Sequence, residues 1–316
     1  MNDTPSNLPA ASSITAQMIH HTGFVAATEL LERCHRSHGG HERPLMARLE
    51  GVSGVGKSSV FQAYEERYPR YRTDTGICVP VLYASIPSHP TPKALGSSLL
   101  EALGADDPTY GSARYQEDRF VKLANACGVE LVLIDEIQHF VDRGRARSHT
   151  GAADAMKTMI EKLKKPTVLS GAPRAKSLFL LNNQLRNRFM TSLRLRPFSI
   201  EEASAKRLYI GFLKKLCDRV PEGIADLLRS EGFAVRLFCA TDGLPRHVVD
   251  FVRHLRDVVA EGKEAILETA AFVFRRNFWT EAEGASNPFD PGFGVRRLTG
   301  PGEPYEKSPF DGDNHA

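Results

Sequence analysis

Apolar and polar positions change rhythm along the chain, and each change marks an expected element. Residues 12–34, SSITAQMIHHTGFVAATELLERC, carry an apolar face at helical spacing and run into the polar loop HRSHGGHERP. They are expected as an N-terminal helical adaptor over residues 1–43. Residues 45–49 make a short apolar run, a first strand, and helical spacing returns across KSSVFQAYEERY. A second strand is expected over residues 78–86, CVPVLYASI, then two helices, TPKALGSSLLEAL and ARYQEDRFVKLANAC. The unbroken apolar run ELVLIDE, residues 130–136, predicts a strand covered on both faces. AADAMKTMIEKLKK then predicts a helix, TVLSGA a strand, KSLFLLNNQLRNRF a helix and SLRLRPF a last strand.

Strands that alternate with helices point to an α/β class with a parallel five-stranded sheet flanked by helices, over residues 44–200. The strand at 78–86 is expected to separate the first strand from ELVLIDE in the sheet. Past residue 200 the strand rhythm stops. EEASAKRLYIGFLKKLCDRV, IADLLRS, FAVRLFCATDG and PRHVVDFVRHLRDVVAEG predict a smaller all-helical domain over residues 201–278. Residues 279–316 are rich in Pro, Gly and charge and are expected as a flexible tail. Its aromatics and arginines, in NPFDPGF and RRLTGPGEPYEKSPF, suit a partner-docking peptide.

Composition narrows the class. A chain of 316 residues that is 41% hydrophobic can bury one large domain and one smaller one. No apolar run reaches the roughly 18–20 residues of a membrane span, and the N-terminus lacks a signal-peptide layout, so a cytoplasmic protein without membrane contact is expected. Five cysteines, Cys34, Cys78, Cys127, Cys217 and Cys239, are spread without a CxxC pair, against a disulfide framework or zinc ribbon. Cys34, His35, His38 and His41 lie close together, but no second ligand pair follows at finger spacing. A net charge of +3 permits nucleic-acid contact without demanding it.

The chemistry starts at LEGVSGVGKSSVF. Gly51, Ser53, Gly54, Val55, Gly56, Lys57, Ser58 and Ser59 stand between a strand and a helix in the GxxxxGK[ST] spacing. Backbone N–H groups of such a loop wrap phosphates, the helix N-terminus adds positive potential, Lys57 meets the β and γ phosphates, and Ser58 ligates Mg²⁺. ATP and Mg²⁺ are the expected ligands. Asp135 and Glu136 leave the carboxyl end of a buried strand, where open α/β sheets bind ligands. Asp135 is expected to hold Mg²⁺, and Glu136 to orient and deprotonate the attacking water. Arg186 and Arg188, in NQLRNRF, suit a guanidinium that completes a neighbouring subunit's site, with Arg188 preferred. Ser170 in TVLSGAP and Arg246 in TDGLPRHV are candidates for the γ-phosphate. His139 either relays between states or begins the next helix.

These residues resemble an AAA+ ATPase of the ASCE P-loop class. GVSGVGKS resembles its Walker A motif, LVLIDE its Walker B, and LRNRF its arginine-finger box. Ser170 stands at sensor 1, where Asn or Thr is commoner, and GLPR with Arg246 resembles sensor 2. More narrowly, LIDEIQHF, VLSGAP, QLRNRF and TDGLPRHV resemble the TniB/TnsC transposition ATPases. The resemblance implies an ATP-dependent homo-oligomer, ring or helical filament, on double-stranded target DNA. It implies recruitment of a DDE transposase, with a TniQ-like targeting protein as a further partner. A replication initiator or helicase loader, and a nucleotide-switched signalling scaffold, stay open as alternatives. Within such an assembly Lys93, Ser112, Arg114 and Arg145 are the candidate DNA contacts, the last in the basic run DRGRARSH with Arg143 and Arg147.

Overall fold

A computed structural model of the chain describes residues 21–40, 43–74, 76–88, 90–142 and 146–306. The chain divides into two compact units, residues 23–196 and residues 197–308. In chain order the strands are β1 (Met46–Glu50), β2 (Tyr71–Thr73), β3 (Gly76–Cys78), β4 (Val81–Ser85), β5 (Leu131–Asp135), β6 (Thr167–Gly171) and β7 (Thr191–Arg194). Five of them form one sheet in the order β4-β5-β6-β1-β7, every neighbouring pair parallel. β2 and β3 make a separate, largely exposed antiparallel hairpin. That hairpin was not expected, and it shortens the second sheet strand to Val81–Ser85.

The sheet order corrects one expectation. β4 does not separate β1 from β5; it lies at the sheet edge, and β6 takes the place between them. Burial gives the physical reason. β6 is buried at every position, which suits an interior strand, whereas β4 ends on the exposed Ser85. Apolar runs in a sequence report burial but not the order in which crossovers return strands to a sheet.

The helix Thr22–Arg36, expected as a separate adaptor, is part of the sheet unit. Phe24, Ala27, Leu30, Leu31 and Cys34 are buried. His35 reaches the Tyr64 hydroxyl through Nδ1 at 3.2 Å and Glu130 through Nε2 at 2.9 Å. Both ring nitrogens therefore have protein partners, and burial pushes the Cys34 thiol up to about 12. His41 lies outside the described residues. Among the described residues no group of three or more His, Cys, Asp or Glu is placed to hold a metal ion. The helix expected over 176–189 is two short helices, Lys176–Leu181 and Asn183–Arg188, because the Asn182 carboxamide oxygen caps the second by accepting the Leu185 N–H at 3.0 Å.

The second unit packs the helices Ala203–Cys217, Glu222–Arg229, Glu231–Thr241, Pro245–Ala260 and Leu267–Asn277 around Tyr209, Phe212, Leu237, Phe251 and Phe274. Residues 280–306 correct a second expectation: they are neither a loose tail nor a free docking peptide. Ala282, Phe289, Phe293 and Leu298 are buried in this same core, and the Phe289 ring stacks on Phe251 at 4.9 Å. Arg236 donates to the Pro288 and Asp290 carbonyls, and the Asn287 carboxamide to that of Ala271. The segment lacks periodicity yet carries apolar residues at the spots where the helices leave a hole, and side chains satisfy its backbone. Residues 307–316 lie outside the described residues.

Candidate nucleotide site

Parallel register carries the carboxyl ends of β1, β5 and β6 to one edge of the sheet. Leu49 pairs with Ser170 and Ile134 with Leu169, so Gly51, Asp135 and Ser170 emerge side by side. The Gly51 N–H donates to the Gly171 carbonyl at 3.2 Å, and the Leu195 N–H to that of Glu50 at 2.8 Å. This is the edge at which open α/β sheets bind ligands.

From β1 the loop turns through Gly54 at φ +83° and Gly56 at φ +97°, backbone that an L side chain resists, and enters the helix Lys57–Glu66. Gly51 has no room for a side chain: a Cβ would stand 2.8 Å from the Leu195 carbonyl oxygen and 2.7 Å from Val55 Cγ2. Lys57 is buried, and its ammonium donates to the Gly51 carbonyl at 2.8 Å and the Val52 carbonyl at 3.0 Å. Burial pulls its pKa down; Asp135 and Glu136 pull it up, and Arg174 adds to the lowering. A buried ammonium held by its own loop's carbonyls and flanked by two carboxylates suits a polyphosphate. Ser53 is exposed, Val55 buried, and Ser58 and Ser59 are half-buried in the first helical turn.

Asp135 is fully buried at the end of β5. Its Oδ1 accepts the Glu136 N–H at 2.8 Å, and the Tyr83 hydroxyl donates to Oδ2 at 3.4 Å. Burial and the Asp135 charge push the Tyr83 phenol well up, so it stays a donor. Glu136 is half-buried, with left-handed backbone at φ +61°. The Gln138 carboxamide donates to its Oε2, and His139 Nε2 lies 3.6 Å from the same oxygen. His139 also opens the short helix His139–Asp142. Ser170 is 0% exposed, and its hydroxyl has no hydrogen-bond partner among the described residues. Such an orphan is costly unless a ligand completes it. The orphan hydroxyl, the Gly51 cradle and the Asp135 and Ser58 oxygens fit a nucleotide phosphate with Mg²⁺.

The remaining candidates are spread out. Arg186 and Arg188 are exposed at the end of the Asn183–Arg188 helix, Arg188 pairing with Glu161 at 3.0 Å. Arg246, in the helical unit, opens the Pro245–Ala260 helix with its side chain 72% exposed and 3.7 Å from Asp250. Lys93, Ser112 and Arg114 are exposed in the first turns, or at the cap, of the helices Pro92–Leu103 and Ala113–Ala126. The Ser112 hydroxyl accepts the Tyr115 N–H at 3.3 Å. Both first turns border one cavity of about 330 Å³, through Pro92, Ala113 and Arg114. Arg143 and Arg145 lie outside the described residues, as does the side chain of Arg147. Sequence reading missed Gln138, Tyr83 and Gly171; only the placement of Gln138 two residues after the acid pair offered a signal.

Known proteins agree with this picture. The family described as "Bacterial TniB protein" matches residues 13–200. The ORC1-type DNA replication protein 1 of Aeropyrum pernix is 30% identical over 104 residues, 32% of this chain and 26% of that protein. The chain thus spans about a quarter of that relative's length. The solved A. pernix ORC1 protein, in complex with DNA, superposes with a TM-score of 0.60 at 15% identity, covering 85% of this chain and 70% of that one. Cdc6p of Pyrobaculum aerophilum gives 0.58 at 15% identity, covering 85% and 69%. A Walker-type ATPase of Pyrococcus abyssi gives 0.54 at 17%, covering 84% and 74%. No helix among the described residues is long and apolar enough to cross a membrane. With more than half of its length matched, this chain belongs to the TniB family and carries the AAA+ fold.

Proposed function

We propose that this protein is an ATP-hydrolysing, DNA-binding regulator of transposition. One observation carries the reading: in a TniB-family chain, a phosphate loop, a strand-end acid pair and an orphan hydroxyl line one edge of a parallel sheet. Lys57 and the loop N–H groups would hold the β and γ phosphates, and Ser58 and Asp135 would hold Mg²⁺, which neutralises phosphate charge. Glu136 takes the proton of the attacking water. The water oxygen bonds the γ-phosphorus, the bond to the β–γ bridging oxygen breaks, and ADP keeps that electron pair. Arg188 or Arg186 from a neighbouring copy, with Arg246, would meet charge on the γ-phosphate.

ATP would stabilise an oligomer, ring or helical filament, on double-stranded DNA, and hydrolysis would dismantle it. Lys93, Ser112 and Arg114 gather at two helix N-termini, whose partial positive charge suits phosphates and reads no sequence. Arg145 would add to this surface. The assembly would mark target DNA and recruit a DDE transposase, with a TniQ-like protein as a further partner. The test is DNA binding with ADP, ATP and a non-hydrolysable analogue across a salt series, with particles imaged in parallel. Triphosphate-dependent oligomers that weaken steeply with salt support the reading. Nucleotide binding without DNA binding sinks it in favour of a switched scaffold. A replication-initiator role is the second reading, favoured by the 104-residue similarity to the ORC1-type protein. Binding of a replicative helicase rather than a transposase would select it.

A further inference from the structure

We propose that Gln138 is the positioning residue for Glu136 and ties that carboxylate to the end of β6. The inference rests on the hydrolysis reading above. Gln138 is only 5% exposed, and a buried carboxamide is costly unless both its ends are bonded. Both are: Nε2 donates to Glu136 Oε2, and Oε1 accepts the Ala172 N–H at 2.9 Å. The chemistry fixes this orientation of the amide, because a carboxylate only accepts and a backbone N–H only donates.

The surrounding turn has little freedom. Glu136 holds left-handed backbone, its N–H donates to Asp135, and the Ile137 N–H donates to the Ser170 carbonyl at 3.0 Å. Residues 137 and 138 are therefore stitched to β6 on both sides of Gly171. At Gly171 a Cβ would come within 2.9 Å of Gln138 Oε1 and 2.8 Å of Ile137 Cγ1, so only glycine leaves room for this arrangement. Ser170, whose buried hydroxyl has no partner among the described residues, carries the first of the two stitches on its own carbonyl. A ligand oxygen bonded by Ser170 would shift the strand end, and Ala172 and Gln138 would pass that shift to Glu136. A base held by a third group is pre-aimed, and small misplacement of it is expensive. Among the described residues the ionisable neighbours of this turn include Asp135, Tyr83, His139, Lys57 and Arg174.

The test uses the full chain with Mg-ATP, in the presence and absence of duplex DNA. Gln138→Met keeps length and volume but removes both hydrogen bonds. It should lower kcat by up to ~100-fold while KM and equilibrium ATP affinity stay within about 3-fold. Gln138→Glu supplies the same contacts only when protonated. Its rate relative to the native protein should therefore recover as pH falls from 8 to 6, whereas that of Gln138→Met should not. A kcat unchanged in Gln138→Met overturns the proposal, as does a fall in kcat matched by equal losses of affinity and melting temperature. Should Gln138→Met fold poorly, the pH profile of Gln138→Glu decides alone. If the native chain and Glu136→Gln are equally inactive with DNA and ATP, the hydrolysis reading itself fails. If Glu136→Gln is inactive, the native chain active and Gln138→Met normal, only the role of Gln138 fails.

Discussion

Of the four non-glycine residues in left-handed backbone among the described residues, Glu136 in the sheet unit and Asp242 in the helical unit are held in different ways. In the sheet unit it is Glu136 itself, pinned by Gln138 two residues on and by the end of a parallel neighbour. In the helical unit it is Asp242, at φ +50°, followed by Gly243 at φ +67°, just before the helix that starts with Pro245 and Arg246. There the clamp comes from far along the chain. Arg297 makes a bidentate pair with Asp242 at 2.6 and 2.7 Å, and the Tyr305 hydroxyl donates to the Ala240 carbonyl at 2.7 Å. A Cβ on Gly243 would collide with the Phe198 carbonyl oxygen, 2.4 Å away. Strained backbone persists only where its surroundings over-determine it. A sheet supplies those surroundings through regular hydrogen bonding, while a helical bundle needs an irregular segment to do so.

That contrast can be broken by separating chemistry from stability. Glu136→Gln should lower ATP turnover by about 10²–10⁴-fold with ATP affinity and melting behaviour retained, read by phosphate release and equilibrium binding. Phe289→Ala should act in the opposite sense. It removes a ring stacked inside the helical core and should cost about 3–5 kcal/mol, seen in denaturant melts of the full chain. If it costs less than 1 kcal/mol, the tail is not part of that core.

Smaller effects sharpen the comparison. Gly51→Ala should cost about 1–3 kcal/mol by overpacking, and should abolish nucleotide protection against melting because the clash is with backbone. Arg297→Ala should cost about 1–3 kcal/mol by leaving Asp242 short of its partner. The smallest effect concerns acid. Arg296, first of all, and the Gly300 N–H hold the Glu303 carboxyl below its usual range. A depressed carboxyl stabilises the fold above its unfolded value, about 4.3, and that contribution is lost as pH falls through the lower folded value. A melting series from pH 6 to 3 should therefore show a small step below about pH 4 that Glu303→Gln lacks.

The glycine-rich loop was legible because its geometry is local: Gly54 and Gly56 take the left-handed backbone of the turn, and Lys57 opens the helix at once. Asp135 and Glu136 were legible because a fully buried strand reads as an apolar run that ends abruptly in charge. Gln138 was hidden, since its two partners, Glu136 and Ala172, meet only through the register of β5 and β6. The tail misled for a related reason: Phe289 and Leu298 have no periodicity of their own and fill gaps made by helices tens of residues earlier.

By itself, then, the sequence determined the alternation of strands and helices, the glycine turn between β1 and its helix, the acid pair at the end of β5 and the presence of a helical second unit. Each of these is written in spacing over a few residues, where backbone geometry and local burial leave few choices. Only the tertiary structure decided that β6 lies between β1 and β5, that Ser170 is buried without a partner among the described residues, that Gln138 bridges to Ala172, and that residues 280–306 complete a core. Those facts depend on which distant surfaces meet, and pairing across a sheet or into a gap is a property of the packed chain.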